Sequence, residues 1–154
     1  MQDRPLRQAT PGDATAIRNL TRTAYAKWVP LIGREPKPMT VDYDRAVRDH
    51  RFDLLEIEGR LAALIETVTH ADHLLIENIA VEPALQGRGI ARGLIAHAER
   101  LAMASGLRDV RLYTNQRFAE NVRLYAKLDY RIDREEIIGD GVVAVHMCKH
   151  FASG

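Results

Sequence analysis

The stretch Val81-Glu82-Pro83-Ala84-Leu85-Gln86-Gly87-Arg88-Gly89-Ile90-Ala91 carries more structural information than any other segment, because it joins a strand pattern to a helix pattern. The apolar run 74–81 leads into it, and apolar residues at helical spacing follow from Leu94 onward. Small residues in such a loop let backbone N–H groups approach a diphosphate, and the helix start adds a partial positive charge. The stretch therefore predicts a diphosphate-binding turn between a strand and a helix.

Two well-known phosphate-binding loops do not fit this stretch. No Gly-Lys-Ser/Thr follows the glycines, as a P-loop requires, and the dinucleotide fingerprint of three glycines is incomplete. An ordinary glycine-rich turn is the structural alternative when the loop is considered alone.

Length and composition favour one globular domain without a disulfide. The chain has 154 residues, of which 46% are hydrophobic, and its 22 Lys and Arg nearly balance 21 Asp and Glu. A net charge of +1 gives no general attraction to nucleic acid. The single cysteine, Cys148, suits a reducing compartment and is interpreted as a small buried side chain.

The sequence also predicts a cytoplasmic protein that binds neither membrane nor metal. The first residues lack the apolar segment of a secretory signal, and no apolar run reaches the length of a membrane span. The six histidines show no HExxH or paired spacing.

Hydrophobic spacing and turn residues predict eleven elements in the order β-α-α-β-β-β-α-β-α-β-β. Predicted strands cover residues 6–9, 52–57, 61–69, 74–81, 110–114, 130–138 and 142–149, the last two turned at 139–141. Predicted helices cover residues 13–27, 41–49, 89–105 and 118–128, and residues 28–40 are predicted as a loop. Hairpin-linked strands combined with β-α crossovers indicate an α/β (α+β) mixed sheet flanked by helices.

Two motifs and the element order resemble the GNAT acetyltransferase superfamily. The pattern Gln86-x-x-Gly89-x-Ala91 is similar to its pyrophosphate loop, and Asn121-x-x-Leu-Tyr125 with the following residues is similar to its late helix and next strand. Asp129 stands where the family usually has glycine, at a helix end that needs a left-handed residue. The resemblance implies a single GNAT domain over residues 1–154, with about seven strands and about four helices.

The resemblance also implies acetyl-CoA as cosubstrate. The backbone of Ile79, Ala80 and Val81 would bind pantetheine in a gap between splayed strands. The pyrophosphate would lie on Gln86, Gly87, Arg88, Gly89, Ile90 and Ala91, with the side chains of Arg88 and Arg92 adding charge. Asn121 would reach the pantetheine arm or the phosphates, or else bond local backbone.

Acetylation of an amine needs a base, because an amine with a pKa of ~10.4 is neutral only about once in 10³ to 10⁴ molecules at pH 7. Glu77 interrupts the apolar strand 74–81 and is the candidate, with a solvated or arginine-paired carboxylate as the structural alternative. Tyr125 is the candidate acid that protonates the departing thiolate, with a purely packing role as its alternative.

The acceptor site in this superfamily is built by the first helices and their connection. Here that region carries the only tryptophan and a proline-rich loop. The candidate acceptor-binding residues are Tyr25, Trp28, Arg34, Met39 and Tyr43. Arg34 could pair with a substrate carboxylate, whereas the alternative is that the aromatic residues pack the helix end and Arg34 lies in solvent.

Two functions follow from these expectations. The first is an N-acetyltransferase that acts on a small-molecule amine or on a peptide or protein amine. The second is a GNAT-fold sensor that binds acyl-CoA without turnover. Whether the chain works alone or as a homodimer stays open.

Overall fold

The computed structural model describes residues 5–139 and 141–152. Its strands are β1 (Arg7–Gln8), β2 (Arg51–Ile57), β3 (Arg60–Thr69), β4 (Leu74–Val81), β5 (Asp109–Asn115), β6 (Arg131–Gly139) and β7 (Val142–His150). Its α-helices are α1 (Ala14–Tyr25), α2 (Val29–Ile32), α3 (Tyr43–Asp49), α4 (Ile90–Ala104) and α5 (Ala119–Lys127). Within these described ranges, no helix combines the length and apolar character that crossing a membrane requires.

The seven strands form one mixed sheet in the order β1-β2-β3-β4-β5-β7-β6. Strands β4 and β5 pair in parallel, with α4 as the crossover between them, and the other neighbouring strands pair antiparallel. A parallel pair needs such a crossover because the chain must return to the same end of the sheet. The predicted mixed sheet of about seven strands is confirmed.

Helices cover both faces of the sheet. On one face, α1 and α3 pack through residues such as Ile17 and Ala46 against Leu54 and Leu64. On the other face, α4 and α5 pack against β3, β4, β5 and β7, with Ile95 and Ala98 fully buried. Each long helix has its apolar side chains on one side, which is why a single sheet can hold both layers.

Strand β4 is irregular at Glu77. Ile76 pairs with Thr67 of β3 and Asn78 pairs with Glu66, so Glu77 is an extra residue in β4. A β-bulge of this kind bends the strand and re-aims its side chains. Before the bulge, Ile76 faces the α4 layer, and after it Ile79 does, so the alternation changes parity at Glu77.

The β4–β5 ladder ends at the same point. Its pairs run from Leu74 with Val110 to Ile76 with Leu112, although both strands continue further. Beyond Ile76, β4 therefore has an unpaired edge that faces β5. The opening between the two strands positions the candidate site.

Most predicted boundaries lie within two residues of the observed ones, but the prediction for residues 28–40 was wrong in part. This segment contains the one-turn helix α2, with Pro30 in its first turn and Gly33 ending it at a φ of 74°. Proline is compatible with a first helical turn and glycine with a left-handed end, so both residues mark helix ends here. Asp129 has a φ of 73°, as its helix-end position predicts. In the predicted turn at 139–141, Asp140 lies outside the described residues.

Candidate functional site

A cavity of about 330 Å³ lies at the opening between β4 and β5. Four elements contribute to its wall: the end of α1 with the turn after it, the end of β4, the start of α4, and α5. Six of its lining residues are Tyr25, Trp28, Ile79, Val81, Asn121 and Tyr125. The cavity thus brings together Tyr25 and Tyr125, which are 100 positions apart in the chain.

The loop before α4 lines one end of this cavity through Gly87 and Gly89. Their φ angles are 80° and 84°, in the left-handed region that favours glycine. The first helical hydrogen bond of α4 runs from the Gly93 N–H to the Gly89 carbonyl at 3.1 Å. The N–H groups of residues 89–92 precede that bond and have no acceptor within the helix. This arrangement fits a bound anion.

Gln86 connects the loop to β4 and to the turn that follows α1. Its Nε2 donates to the Val81 carbonyl at 3.0 Å, and its Oε1 accepts from the Lys27 ammonium at 2.9 Å. Lys27 and Arg92 line the cavity and bring positive charge to the loop end, whereas Arg88 is exposed and is not among the lining residues. Of the two arginines predicted to add charge, Arg92 is therefore the one beside the cavity.

Tyr125 lies on α5 with its ring nearly buried and lines the cavity beside Asn121. Burial raises the pKa of Tyr125 to about 12, because the phenolate would lose its hydration. The phenol is therefore neutral across the physiological range and keeps a proton that it can donate there. Trp28 closes the neighbouring wall by stacking on Phe118, with ring centroids 4.3 Å apart.

A buried polar network connects the cavity to the α1 and α3 layer. The hydroxyl of Tyr25 lies 2.8 Å from the Asn78 Oδ1 and 3.2 Å from the Ile79 carbonyl, and these two acceptors share its single proton. The Asn78 Nδ2 donates to the hydroxyls of Thr21 at 3.4 Å and Tyr43 at 3.3 Å. Burial raises the pKa of Tyr25 well above its usual value, so its hydroxyl stays a donor. This network holds the end of β4 in place beside the opening.

Glu77 is one-fifth exposed and has two polar neighbours. The hydroxyl of Tyr113 on β5 donates to its Oε1 at 2.9 Å, and the Lys37 ammonium lies 3.7 Å from the same oxygen. Lys37 also donates to the Tyr113 hydroxyl at 3.2 Å, and this bond raises the pKa of Lys37. The Glu77 carboxylate therefore lies at a polar position where an ammonium group is already accommodated.

The five predicted acceptor residues do not share one place. Tyr25 and Trp28 line the main cavity, whereas Met39 and Tyr43 line a separate cavity of about 480 Å³ between α1 and α3. Arg34 is exposed and lines a third cavity, of about 140 Å³, near the end of β5. The Tyr43 hydroxyl donates to the Pro38 carbonyl at 2.7 Å, which gives this residue a bracing role in the segment before α3.

Sequence reasoning missed Tyr113, Lys37 and the structural part played by Asn78. Tyr113 could have been found from the parallel pairing of two predicted strands, because alternation places Glu77 and Tyr113 next to each other once the register is known. Lys37 carries no such signal, since its position depends on the path of the segment between α2 and α3. No group of three or more His, Cys, Asp or Glu side chains among the described residues is placed to share a metal ion.

Comparison with protein families gives one match. The model of the "Acetyltransferase (GNAT) family" matches residues 15–130, which contain the loop, both candidate catalytic residues and the whole of α5. No curated protein has a significant sequence match to the chain.

Several solved structures share the fold at low sequence identity. PaiA N-acetyltransferase from Thermoplasma acidophilum, in complex with coenzyme A, has a TM-score of 0.80 and 17% identity over 96% of this chain and 98% of its own. Ribosomal-protein-S18-alanine N-acetyltransferase from Escherichia coli has a TM-score of 0.78 and 20% identity over 97% and 95%. Nourseothricin acetyltransferase has a TM-score of 0.74 and 20% identity over 98% and 100%. The last two proteins are named for different acceptors, so the fold alone does not specify one.

Proposed function

Since this chain belongs to the GNAT acetyltransferase family, we propose that it transfers an acetyl group from acetyl-CoA to a primary amine by direct attack in a ternary complex. The observation that carries the proposal is the opening between β4 and β5. A glycine loop lies at one end of it, the buried Tyr125 lines it, and Glu77 stands where the two strands separate. Acetyl-CoA supplies the acetyl group as a reactive thioester.

The residues at the opening suit coenzyme A in two ways. The edge of β4 beyond Ile76 has no partner in β5, so the backbone of Ile79, Ala80 and Val81 can pair with the amides of pantetheine as an added strand would. The free N–H groups at the start of α4 and the left-handed Gly87 and Gly89 suit a pyrophosphate. Asn121 lines the cavity between these regions and can donate to either part of the ligand.

Glu77 would act as the base, directly or through water. The deficit for deprotonating a lysine-like amine at pH 7 is roughly 4 to 5 kcal/mol. A carboxylate within reach of the ammonium can accept its proton as the amine attacks the thioester. The Lys37 ammonium at 3.7 Å supports this role, because it marks a place beside Glu77 where a cationic amine is accommodated. The hydrogen bond from Tyr113 holds the carboxylate at the opening.

Tyr125 would supply the proton that the departing sulfur needs. Its raised pKa of about 12 makes it a weaker acid than a free phenol. The burial that raises this pKa also disfavours a thiolate in the same cavity, so the pKa of the coenzyme A thiol should rise together with that of the phenol. Tyr125 lines the cavity, so a ligand bound there would lie beside this residue.

The proposal is tested by release of free thiol from acetyl-CoA in the presence of amines and peptides. We expect thiol release that depends on both the amine and the enzyme. Tight binding of acetyl-CoA in calorimetry, without thiol release on any small amine or peptide N-terminus, would instead support a sensor that binds acyl-CoA. Absence of acetyl-CoA binding would contradict both functions.

A further inference from the structure

The third cavity, of about 140 Å³, has a pronounced positive lining. Arg34 comes from the segment after α2, while Asn115 and Arg117 come from the end of β5 and the turn after it. The remaining described lining residues are Ile32, Gly141 and Val142, so no acidic side chain among them balances the two guanidinium groups. A small cavity with two arginines and an amide favours a planar anion such as a carboxylate, which guanidinium groups can bind bidentately.

This third cavity and the candidate base, Glu77, lie beside neighbouring positions of β5. Tyr113 and Asn115 are two residues apart on β5, so their side chains point to the same face of the sheet. The Tyr113 hydroxyl bonds Glu77, whereas Asn115 lines the arginine cavity. Two residues of a strand span about 7 Å. The β5 position that contacts Glu77 and the β5 position that lines the arginine cavity are therefore about 7 Å apart along one face of the sheet.

We propose that Arg34 and Arg117 form a carboxylate-binding subsite for the acceptor, and that the acceptor is a small amine whose carboxylate lies several bonds from its amino group. This inference rests on the proposed function, since Glu77 must receive the amine. An α-amino acid is too short, because its two groups share a single carbon and cannot reach both places. An ω-amino carboxylate with a chain of several methylenes has the required length and charge.

The test compares two matched series of acceptors with the purified protein and acetyl-CoA. One series consists of ω-amino carboxylates of increasing chain length, and the other of neutral alkylamines of the same lengths. We expect KM to be lowest for an ω-amino carboxylate longer than an α-amino acid and about tenfold or more higher for its neutral counterpart. Calorimetric titration of the same compounds into the protein–coenzyme A complex should show the same preference without any turnover.

Arg34→Gln and Arg117→Gln should each raise KM and Kd for the best ω-amino carboxylate by about tenfold or more. Neither change should alter KM for the neutral amine or for acetyl-CoA. Arg100→Gln is the matched control, because Arg100 is exposed on α4 and lines none of the three cavities.

The outcomes separate the subsite from the proposed function. Any of three results would overturn the subsite and leave the acetyltransferase intact. These are equal use of charged and neutral amines, equal effects of both variants on the two series of acceptors, and a preference for peptides. Absence of thiol release from every acceptor would contradict the acetyltransferase, while the calorimetric preference would still decide whether the arginine cavity binds a carboxylate.

Discussion

The Tyr113 hydroxyl donates a 2.9 Å hydrogen bond to Glu77 at the position where the next backbone pair between β4 and β5 would lie. The last true pair is Ile76 with Leu112, one residue earlier in each strand. A hydrogen bond between side chains thus connects β4 and β5 just beyond their last backbone pair. Burial and then the neighbouring Glu77 charge raise the pKa of Tyr113, so its hydroxyl remains a donor at neutral pH. The strands can separate beyond this point while the carboxylate stays fixed at the opening.

Glu77→Gln should reduce kcat most near neutral pH. The variant keeps the size and the hydrogen bond from Tyr113 but cannot accept the proton of an ammonium group. As pH rises toward the amine pKa of ~10.4, the acceptor deprotonates without help, so the ratio of wild-type to variant rate should shrink. The measurement is kcat/KM for both proteins over a range of pH.

Glu58→Gln is the control for this prediction, because Glu58 is exposed in the turn between β2 and β3. Its profile should follow that of the wild type. A constant ratio between Glu77→Gln and wild type at every pH would reject Glu77 as the base.

Tyr125→Phe should lower kcat by roughly 10² to 10⁴ and leave acetyl-CoA affinity and thermal stability nearly unchanged. The ring that lines the cavity is kept, and only the proton donor is lost. Tyr130→Phe is a matched control, because Tyr130 packs edge-on against Tyr125 but donates its hydroxyl proton to Glu99. If steady-state assays show a change below threefold for Tyr125→Phe, the tyrosine has only a packing role.

The raised pKa of Tyr125 also predicts a pH profile. A donor with a pKa of about 12 keeps its proton well above neutral pH, so titration of Tyr125 should cause no alkaline loss of kcat up to about pH 10. The measurement is kcat at saturating amine for wild type and Tyr125→Phe. An alkaline decline present in wild type and absent from the variant would show that the phenol titrates lower than its burial implies.

Gly89→Ala should weaken acetyl-CoA binding by about tenfold or more, since a methyl group would stand where backbone approaches the pyrophosphate. The left-handed φ of 84° also imposes strain on alanine, so a control must share that strain. Gly106→Ala meets this need, with a φ of 75° beyond the far end of α4. Both variants should lose similar stability, and calorimetry should show the loss of affinity in Gly89→Ala alone. Equal affinity in the two variants would place the pyrophosphate elsewhere.

Asn78→Leu should lower the free energy of unfolding by about 1 to 3 kcal/mol, because it removes the shared partner of three buried or half-buried hydroxyls. Asn19→Leu, at an exposed position of α1, is the matched control and should change stability little. Urea unfolding of the two variants makes the comparison. Equal midpoints would mean that the Asn78 network does not stabilise the fold.

The parts of the site that sequence could predict are those built by local pattern. The run from β4 through Gly89 into α4 is one continuous segment, so strand spacing, glycines and helix spacing sufficed to locate the loop. Asn121 and Tyr125 lie one helical turn apart, and the helical period alone places them on one face. Both residues do line the cavity.

The surroundings of Glu77 and the acceptor residues depend on tertiary structure instead. The contact with Tyr113 requires the β4–β5 register, which no local pattern specifies. Residues 25–43 are close in sequence, but the turn of α2 and Gly33 direct Arg34 toward the end of β5 while Met39 faces α1. Proximity along the chain was therefore a poor guide to which of these side chains share a cavity.

The bulge at Glu77 makes chain length at this position as important as side-chain identity. Deleting residue 77 would restore regular alternation and keep the β3 partners of Asn78 to Val81, so these side chains would stay on their present faces. The strand would nevertheless lose its bend, together with the carboxylate at the opening. A substitution at position 77 changes the side chain and keeps the bend, whereas a deletion removes both.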